Sequence, residues 1–313
     1  MSILVTGSIA YDTIMVFPDR FRNHLLPEQL HILNVCFLTP EMRREFGGTA
    51  GNIGYNLRLL GEAPIVMAAV GEDSQPYLER LDELGIGSAH LKRIAGQFTA
   101  QAFITTDLDD NQITAFHPGA MNFAHENKVT RAHEATLAIV SPDGKEGMLQ
   151  HARECAELGI PFMFDPGQGL PMFSAEELRA FVRQADFVAV NDYEGKMLED
   201  KTGETLQSLA DQVKALVVTL GARGSLVLSG GERHEIPCVA ADAVVDPTGC
   251  GDAYRAGLLH GIAAGWDLPS CARLGAVMGA IKIAHRGGQN HRPSREAIEA
   301  RFRAAFDYSP WRA

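Results

Sequence analysis

The sequence predicts an α/β fold, a doubly wound and mainly parallel sheet with a small β-strand unit added to it, on three observations. Short apolar runs recur between amphipathic segments along most of the chain, the alternation that puts helices on both faces of a parallel sheet. Polar residues stand directly after these runs, where the carboxyl edge of such a sheet gathers a ligand. Toward the end, DPTGCGDAYRAGLL from Asp246 to Leu259 reads as a glycine loop feeding a helix.

The first apolar run, Ile3 to Thr6, ends at Gly7 and Ser8 and has the profile of a buried parallel strand. Asp12 follows almost at once; it is either a ligand contact past the first strand or the start of an Asx-turn. From Val16 to Arg44 the text mixes Pro, His, Asn and Phe without helical period, which predicts short strands lying off the main sheet. FGGTAGN, Phe46 to Asn52, opens a helix that runs through Leu60 and stops at Gly61. Its adjacent glycines, Gly47 and Gly48, let a ligand approach the backbone, and Asn52 points from the first turn. The segment has neither GK[ST] nor GxGxxG, so it is not a P-loop or a dinucleotide fingerprint.

Ile65 to Val70 reads as a strand and Tyr77 to Leu84 as a helix closed by Gly85. TAQAFITT and ITAF then flank the polar turn DLDDNQ, a β-hairpin inserted into a βα chain and a natural lid. Phe103, Phe116 and Met121 either line a site for a flat apolar group or pack the hairpin. Further strands are expected at Leu137 to Val140, Phe162 to Phe164, Phe187 to Val190 and Leu216 to Thr219. After them come Ser141 and Asp143, Asp165 and Gln168, Asn191 and Glu194, then Thr219 with Gly221 and Gly224. Turn chemistry also favours Asp, Asn and Gly after strands, but their convergence on one edge argues for a single site.

In the DPTGCGD motif, Thr248, Gly249, Cys250 and Gly251 fall on a helix N-terminus, where free N–H groups and the dipole attract an anion. Asp252 would either cap that helix or take a proton from a hydroxyl attacking a phosphoryl group held in the loop. A carboxylate so placed is expected to stay ionised, and the Cys250 thiol is a candidate for an acidic, reactive group. A helix from about Ser270 to Ala284 carries Gly275 and Gly279 for close packing. The polar turn His285 to Asn290 and a helix from Arg295 to Phe306 finish the chain, with His285 and His291 read as solvated or locally bonded.

With 313 residues, 46% hydrophobic, the chain suits one main domain over 1–313. A net charge of −11 without a basic run excludes nucleic acid or an anionic membrane as partner and leaves small-molecule chemistry. Five scattered cysteines without a CxxC pair read as reduced and cytoplasmic. No apolar run reaches the roughly 20 residues of a membrane span.

GSIAYD, FGGTAGN, NDYE and DPTGCGDAYRAGLL together resemble the ribokinase-like (PfkB) carbohydrate and nucleoside kinases, over nearly the whole chain. The hairpin text and DPGQG, Asp165 to Gly169, are most similar to bacterial adenosine and broad-specificity nucleoside kinases. The resemblance implies transfer of the γ-phosphoryl group of ATP to the 5′-hydroxyl of a purine nucleoside such as adenosine, inosine or guanosine, a purine-salvage reaction. Carried over by position, it makes Asp252 the base and Gly249, Cys250 and Gly251 the anion hole. Ser8, Asp12, Gly48 and Asn52 fall at substrate-binding positions, and Phe116, Met121 and Gln168 at base-contacting ones. Asn191, Thr219, Gly221 and Gly224 lie along ATP, Glu194 serves Mg2+ through water, and Asp246 and Thr248 match a monovalent-cation site, K+ being the natural ion. Segments 12–45 and 97–118 form the lid, whose free β edges leave a homodimer open. Two alternatives stand beside this reading: a ribose or hexose kinase of the same fold, and a non-catalytic nucleoside sensor, which would have no need of Asp252.

Overall fold

The chain is described here from a computed structural model, over residues 2–25, 34–109, 111–132 and 134–311. Residues 26–33 of the expected lid segment and residue 110 of the hairpin turn lie outside the described residues.

Strand β1 (Ile3–Thr6) is buried on both faces, as its unbroken apolar text requires. Ile3 and Val5 enter the core on one side of the sheet, and Leu4 enters the core on the other. The chain leaves this strand into β2 (Ala10–Val16), then β3 (Glu41–Gly47), and helix α1 (Thr49–Leu59). It continues through β4 (Ile65–Val70), α2 (Gln75–Glu83) and β5 (Leu91–Arg93). The hairpin is β6 (Ala100–Thr106) and β7 (Gln112–His117).

The alternating part follows as β8 (Leu137–Val140), α3 (Lys145–Leu158), β9 (Phe162–Phe164), α4 (Ala175–Gln184), β10 (Phe187–Asn191), α5 (Asp192–Thr202) and α6 (Leu206–Ala210). Then come β11 (Ala215–Thr219), β12 (Ser225–Ser229) and β13 (Glu232–Ile236), and the helices α7 (Cys250–Ala263), α8 (Leu268–Ile283) and α9 (Arg295–Phe306). The ends obey local chemistry: Ser174 and Glu177 form a capping box on α4, and Asp267 caps α8.

Among the described residues the main sheet has nine strands in the order β13-β12-β11-β10-β9-β8-β1-β4-β5. From β11 to β5 neighbours run parallel, whereas β12 and β13 are antiparallel. That antiparallel edge was not read from the sequence, because LVLS and the charged ERHEI sit in a turn-rich stretch without a helix between them. The strand order reverses at β1, which pairs with β8 on one side and β4 on the other. Ligands of such sheets bind at the carboxyl ends beside this reversal.

Helices α1, α2, α7 and α8 pack on the face that holds Ile3 and Val5, and α3 to α6 on the face that holds Leu4. The predicted close helix contact is made by Gly275, which meets Gly257 of α7: a Cβ on Gly257 would lie 2.6 Å from the Gly275 amide nitrogen. Gly279 has only ordinary room, 3.8 Å from the Cys250 carbonyl oxygen. His291 is fully buried and bonded to Asn56 Oδ1 at 2.7 Å, and His285 Nδ1 lies 3.0 Å from the Ile281 carbonyl, so both are locally bonded.

Among the described residues, the hairpin and the strands from the N-terminal excursion join in a separate sheet of four, ordered β3-β2-β6-β7. Asp12 sits inside β2 and not in a turn. It is in register with Glu45, with Ala102 and, through Ala102, with Phe116. Residues in register share a face of a sheet and adjacent ones alternate, so Asp12 and Phe116 face the same way and Phe103 faces the other. Phe103 and Phe116, which the sequence leaves between a site wall and hairpin packing, therefore do not share a face.

Candidate active site

Helix α7 starts where Gly249, at φ +76°, turns the chain from the DPTG loop into the first turn. Pro247 cannot continue a helix, and its carbonyl accepts the Cys250 N–H at 3.1 Å. Asp252 occupies that first turn and is half-buried. Its carboxylate does not cap the helix: Oδ2 accepts from Asn52 Nδ2 at 2.8 Å.

Asn52 comes from the first turns of α1, which meets α7 directly. The approach depends on Gly48, at φ +86°, where a Cβ would lie 2.5 Å from the Ser8 carbonyl oxygen and 2.6 Å from the Ala10 nitrogen. No other residue type fits there without moving β2. Asn52 Oδ1 in turn accepts from Gln289 Nε2 at 3.1 Å, and the same amide donates to the Tyr77 hydroxyl at 2.7 Å. Tyr77 donates to the Gly47 carbonyl at 2.7 Å. Gln289 and Tyr77 are buried, so the side chain that orients Asp252 is itself held by a chain of buried hydrogen bonds that runs to the Gly47 carbonyl.

Burial pushes the Asp252 carboxyl up to about 7, with Asp165 and Asp12 adding to the rise and Asn52 and Arg255 opposing it. This corrects the expectation of a fully ionised base: removal from water, with Asp165 and Asp12 beside it, outweighs the Asn52 bond and the Arg255 charge. Burial likewise raises Asp12 to about 6, with the Asp246 and Glu45 charges adding to it. Cys250 goes the same way, up to about 11 by burial, so the reactive thiol expected at this helix end is a protonated one.

Arg255, one turn after Asp252, is buried and grips Asp165 with two bonds, Nε to Oδ2 at 3.1 Å and an Nη to Oδ1 at 3.2 Å. It also stands 4.0 Å from Glu194. Neither Arg255 nor Gln289 was marked as a site residue by the sequence. Their only signal was position, Arg255 one helical turn from Asp252 and Gln289 after two glycines.

The remaining predicted residues divide clearly. Ser8 Oγ accepts the Thr49 N–H at 3.1 Å and so serves the start of α1. Asn191 and Glu194 form a reciprocal capping box on α5, each side chain accepting the other's N–H at 2.8 Å. Asp246 accepts from Thr248 N at 2.9 Å and from Gly287 N at 2.8 Å, which holds its carboxyl below the usual range despite burial. Thr219 Oγ1 lies 3.4 Å from the Val190 carbonyl, and Gly221 and Gly224 bound the short turn between β11 and β12. Gln168 and Phe116 are exposed and Met121 half-buried. Asp143, beside Pro142 at the end of β8, is buried with Oδ2 unpartnered, which pushes its carboxyl up to about 8.

A carboxylate poised near neutrality, held by a fixed amide beside a glycine-lined helix N-terminus, can accept a proton from a hydroxyl while the N–H groups receive anionic charge. The pfkB carbohydrate kinase family profile matches residues 12–295. The chain belongs to the pfkB family. This pfkB-family protein is 31% identical to the nucleoside kinase of Methanocaldococcus jannaschii over 86% of this chain and 89% of that one. It is 30% identical to the nucleoside kinase of Methanothermobacter thermautotrophicus over 98% and 97%. A structure of Burkholderia thailandensis nucleoside kinase in complex with inosine is similar to it at 51% identity and a TM-score of 0.90, covering 98% of this chain and 99% of that chain. The same Burkholderia protein with ADP and inosine superposes with a TM-score of 0.88. The pfkB-family chain is thus a phosphotransferase that acts on a hydroxyl group, built on the ribokinase-like α/β fold. Among the described residues, no helix is long and apolar enough to cross a membrane.

Proposed function

We propose that this protein is an ATP-dependent nucleoside kinase that phosphorylates the 5′-hydroxyl of a purine nucleoside. The observation that carries the reading is the Asn52–Asp252 bond at the N-terminus of α7. Asp252 takes the hydroxyl proton as the substrate oxygen bonds to the γ-phosphorus, and the bond to the β-phosphate oxygen breaks, with its electron pair leaving on ADP. Gly249 and Gly251 offer N–H groups to the charge that spreads over the transferring group, while the Cys250 N–H, expected to join them, is bonded to the Pro247 carbonyl. Such a reaction asks mainly for alignment and charge neutralisation, and the fixed partners of Asp252 supply the alignment.

The nucleoside is recognised, in this reading, from both sides of the cleft. Asp12, Gly48 and Asn52 line the sugar side, with Ser8 behind them holding α1 in place. Phe116 shares the face of Asp12 on the small sheet and offers an apolar surface to the base, together with Met121 and Gln168. The small sheet acts as a lid that keeps water from the γ-phosphate. Support for a purine comes from the inosine bound by the Burkholderia protein of 51% identity.

Asn191 and Thr219 end β10 and β11, Gly221 and Gly224 follow, and the four fit the run of ATP along the carboxyl edge. Among the described residues no three His, Cys, Asp or Glu side chains gather as a metal cage. Negative charge is nevertheless in surplus: after burial, Asp165 raises the carboxyls of both Asp252 and Glu194 and Asp12 adds to the rise at Asp252, with Arg255 as the one cation opposing at both. This surplus fits a Mg2+ ion brought by ATP and held by Glu194 through water. When bound, Mg2+ neutralises charge on the phosphates.

The test is ADP release from Mg-ATP against adenosine, inosine, guanosine, cytidine, ribose and fructose. Turnover preferring purine nucleosides is expected. Turnover with ribose or fructose alone would convert the reading to a free-sugar kinase, and tight nucleoside binding without turnover would make the protein a sensor.

A further inference from the structure

The resemblance to sugar and nucleoside kinases led us to expect a monovalent cation at Asp246 and Thr248. The residues do not fit one, because a side chain already stands there. Lys282, near the end of α8, is fully buried. Its Nζ donates to the Asp246 carbonyl at 2.7 Å and to the His285 carbonyl at 2.9 Å. Both carboxylate oxygens of Asp246 are committed as well, Oδ1 to the Thr248 amide and Oδ2 to the Gly287 amide. Four of the oxygens on which an alkali cation would draw thus already accept N–H donors, two of them from one ammonium.

Burial lowers the Lys282 pKa below the usual lysine value, and the Asp246 and Asp252 carboxylates work against that by favouring the charged ammonium. The main chain is tied to the same place, since the N–H groups of Val245 and Asp246 both donate to the Ile283 carbonyl, at 2.9 and 3.1 Å. The entry to the glycine loop is thus fastened to the end of α8, one residue from Lys282. A second cation in this nest would compete with the ammonium for the same oxygens and be repelled by its charge.

We propose that the Lys282 ammonium is a built-in replacement for a monovalent cation: it joins the start of the DPTGCGD loop to the 282–287 turn and makes the protein independent of K+. The rate arm of the test rests on the nucleoside-kinase reading, whereas the stability arm does not. Wild-type protein is assayed for nucleoside-dependent ADP release and for its thermal midpoint in KCl, NaCl and tetramethylammonium chloride at equal ionic strength. Rates that agree within about twofold and midpoints within about 1 °C are expected, since an ion without a site adds no binding free energy to the native state. Saturable activation by KCl of about tenfold or more, or a K+-specific rise of several degrees, would overturn the proposal.

Lys282→Met removes the charge and leaves the oxygens. In tetramethylammonium it is expected to be slower by about tenfold or more, with K+ restoring both rate and midpoint. A soluble variant that equals wild type without K+, or whose loss K+ does not restore, also overturns the proposal. Should the variant fail to fold, the wild-type comparison decides alone. If no nucleoside is turned over in any salt, the kinase reading fails while the wild-type midpoints still judge the cation.

Discussion

Asn52 Nδ2 donates to Asp252 Oδ2 across 2.8 Å, although 200 positions separate the two residues in the chain. The bond places a neutral amide where it favours the ionised carboxylate, and Gln289 holds that amide from behind at 3.1 Å. Removing it by Asn52→Ala is expected to lower kcat by about tenfold to a hundredfold through loss of orientation. It should also move the acidic limb of the pH–rate profile upward, because the bond lowers the Asp252 pKa. A profile that stays in place would reduce Asn52 to a substrate contact.

Asp252→Asn is expected to keep the fold and lose about 10² to 10⁴ in kcat, the usual scale for a positioned base. Single-turnover rates with the preferred nucleoside measure this directly. Near wild-type turnover would remove the role given to the carboxylate.

The pH dependence follows from the raised carboxyl. With a native value of about 7, the basic form of Asp252 grows as pH rises through neutrality, so kcat/KM should climb between about pH 6 and 8 and level off above. Stability carries the opposite sign. Below the ordinary value of 3.8 both states hold the proton, and between there and about 7 only the native state keeps it, so stability falls as pH rises through that window. Asp252→Asn should therefore stabilise the protein at pH 8, by something on the order of 2 kcal/mol, and change little at pH 4. Denaturant unfolding at the two pH values checks the sign.

Arg255 is buried with a two-bond grip on Asp165. Arg255→Met leaves the Asp165 and Glu194 carboxylates without their cation and should cost about 3 to 5 kcal/mol in unfolding free energy. Pairing it with Asp165→Leu should recover part of that loss, which a double-mutant cycle measures. Additive losses would show that the two side chains act separately.

Register on the small sheet separates two phenylalanines that the sequence treats alike. Phe116→Ala is expected to raise KM for purine nucleosides by about tenfold, since its face is that of Asp12. Phe103→Ala, on the opposite face, should leave KM unchanged. Equal effects of the two would place the base elsewhere.

The sequence by itself determined the βαβ alternation, the hairpin and the loop-to-helix form of DPTGCGD, because each is set within a few residues by apolar period, by glycine and proline, and by capping side chains. β1, β8 and β9 have the bounds their apolar text predicts, and Asn191 with Glu194 caps α5 as a local motif can. What only the tertiary structure decided is the state of the charges. A glycine loop announces a helix N-terminus, yet whether Asp252 beside it is ionised depends on how much water α1 and the 287–291 turn exclude, and burial wins by raising it to about 7. Lys282 carries no mark in the text of α8, where it interrupts an apolar run. Its meaning comes from the carbonyls of Asp246 and His285, of which Asp246 lies 36 residues away in the chain. Long-range contacts of this kind are fixed by packing, and no local pattern of residue types encodes them.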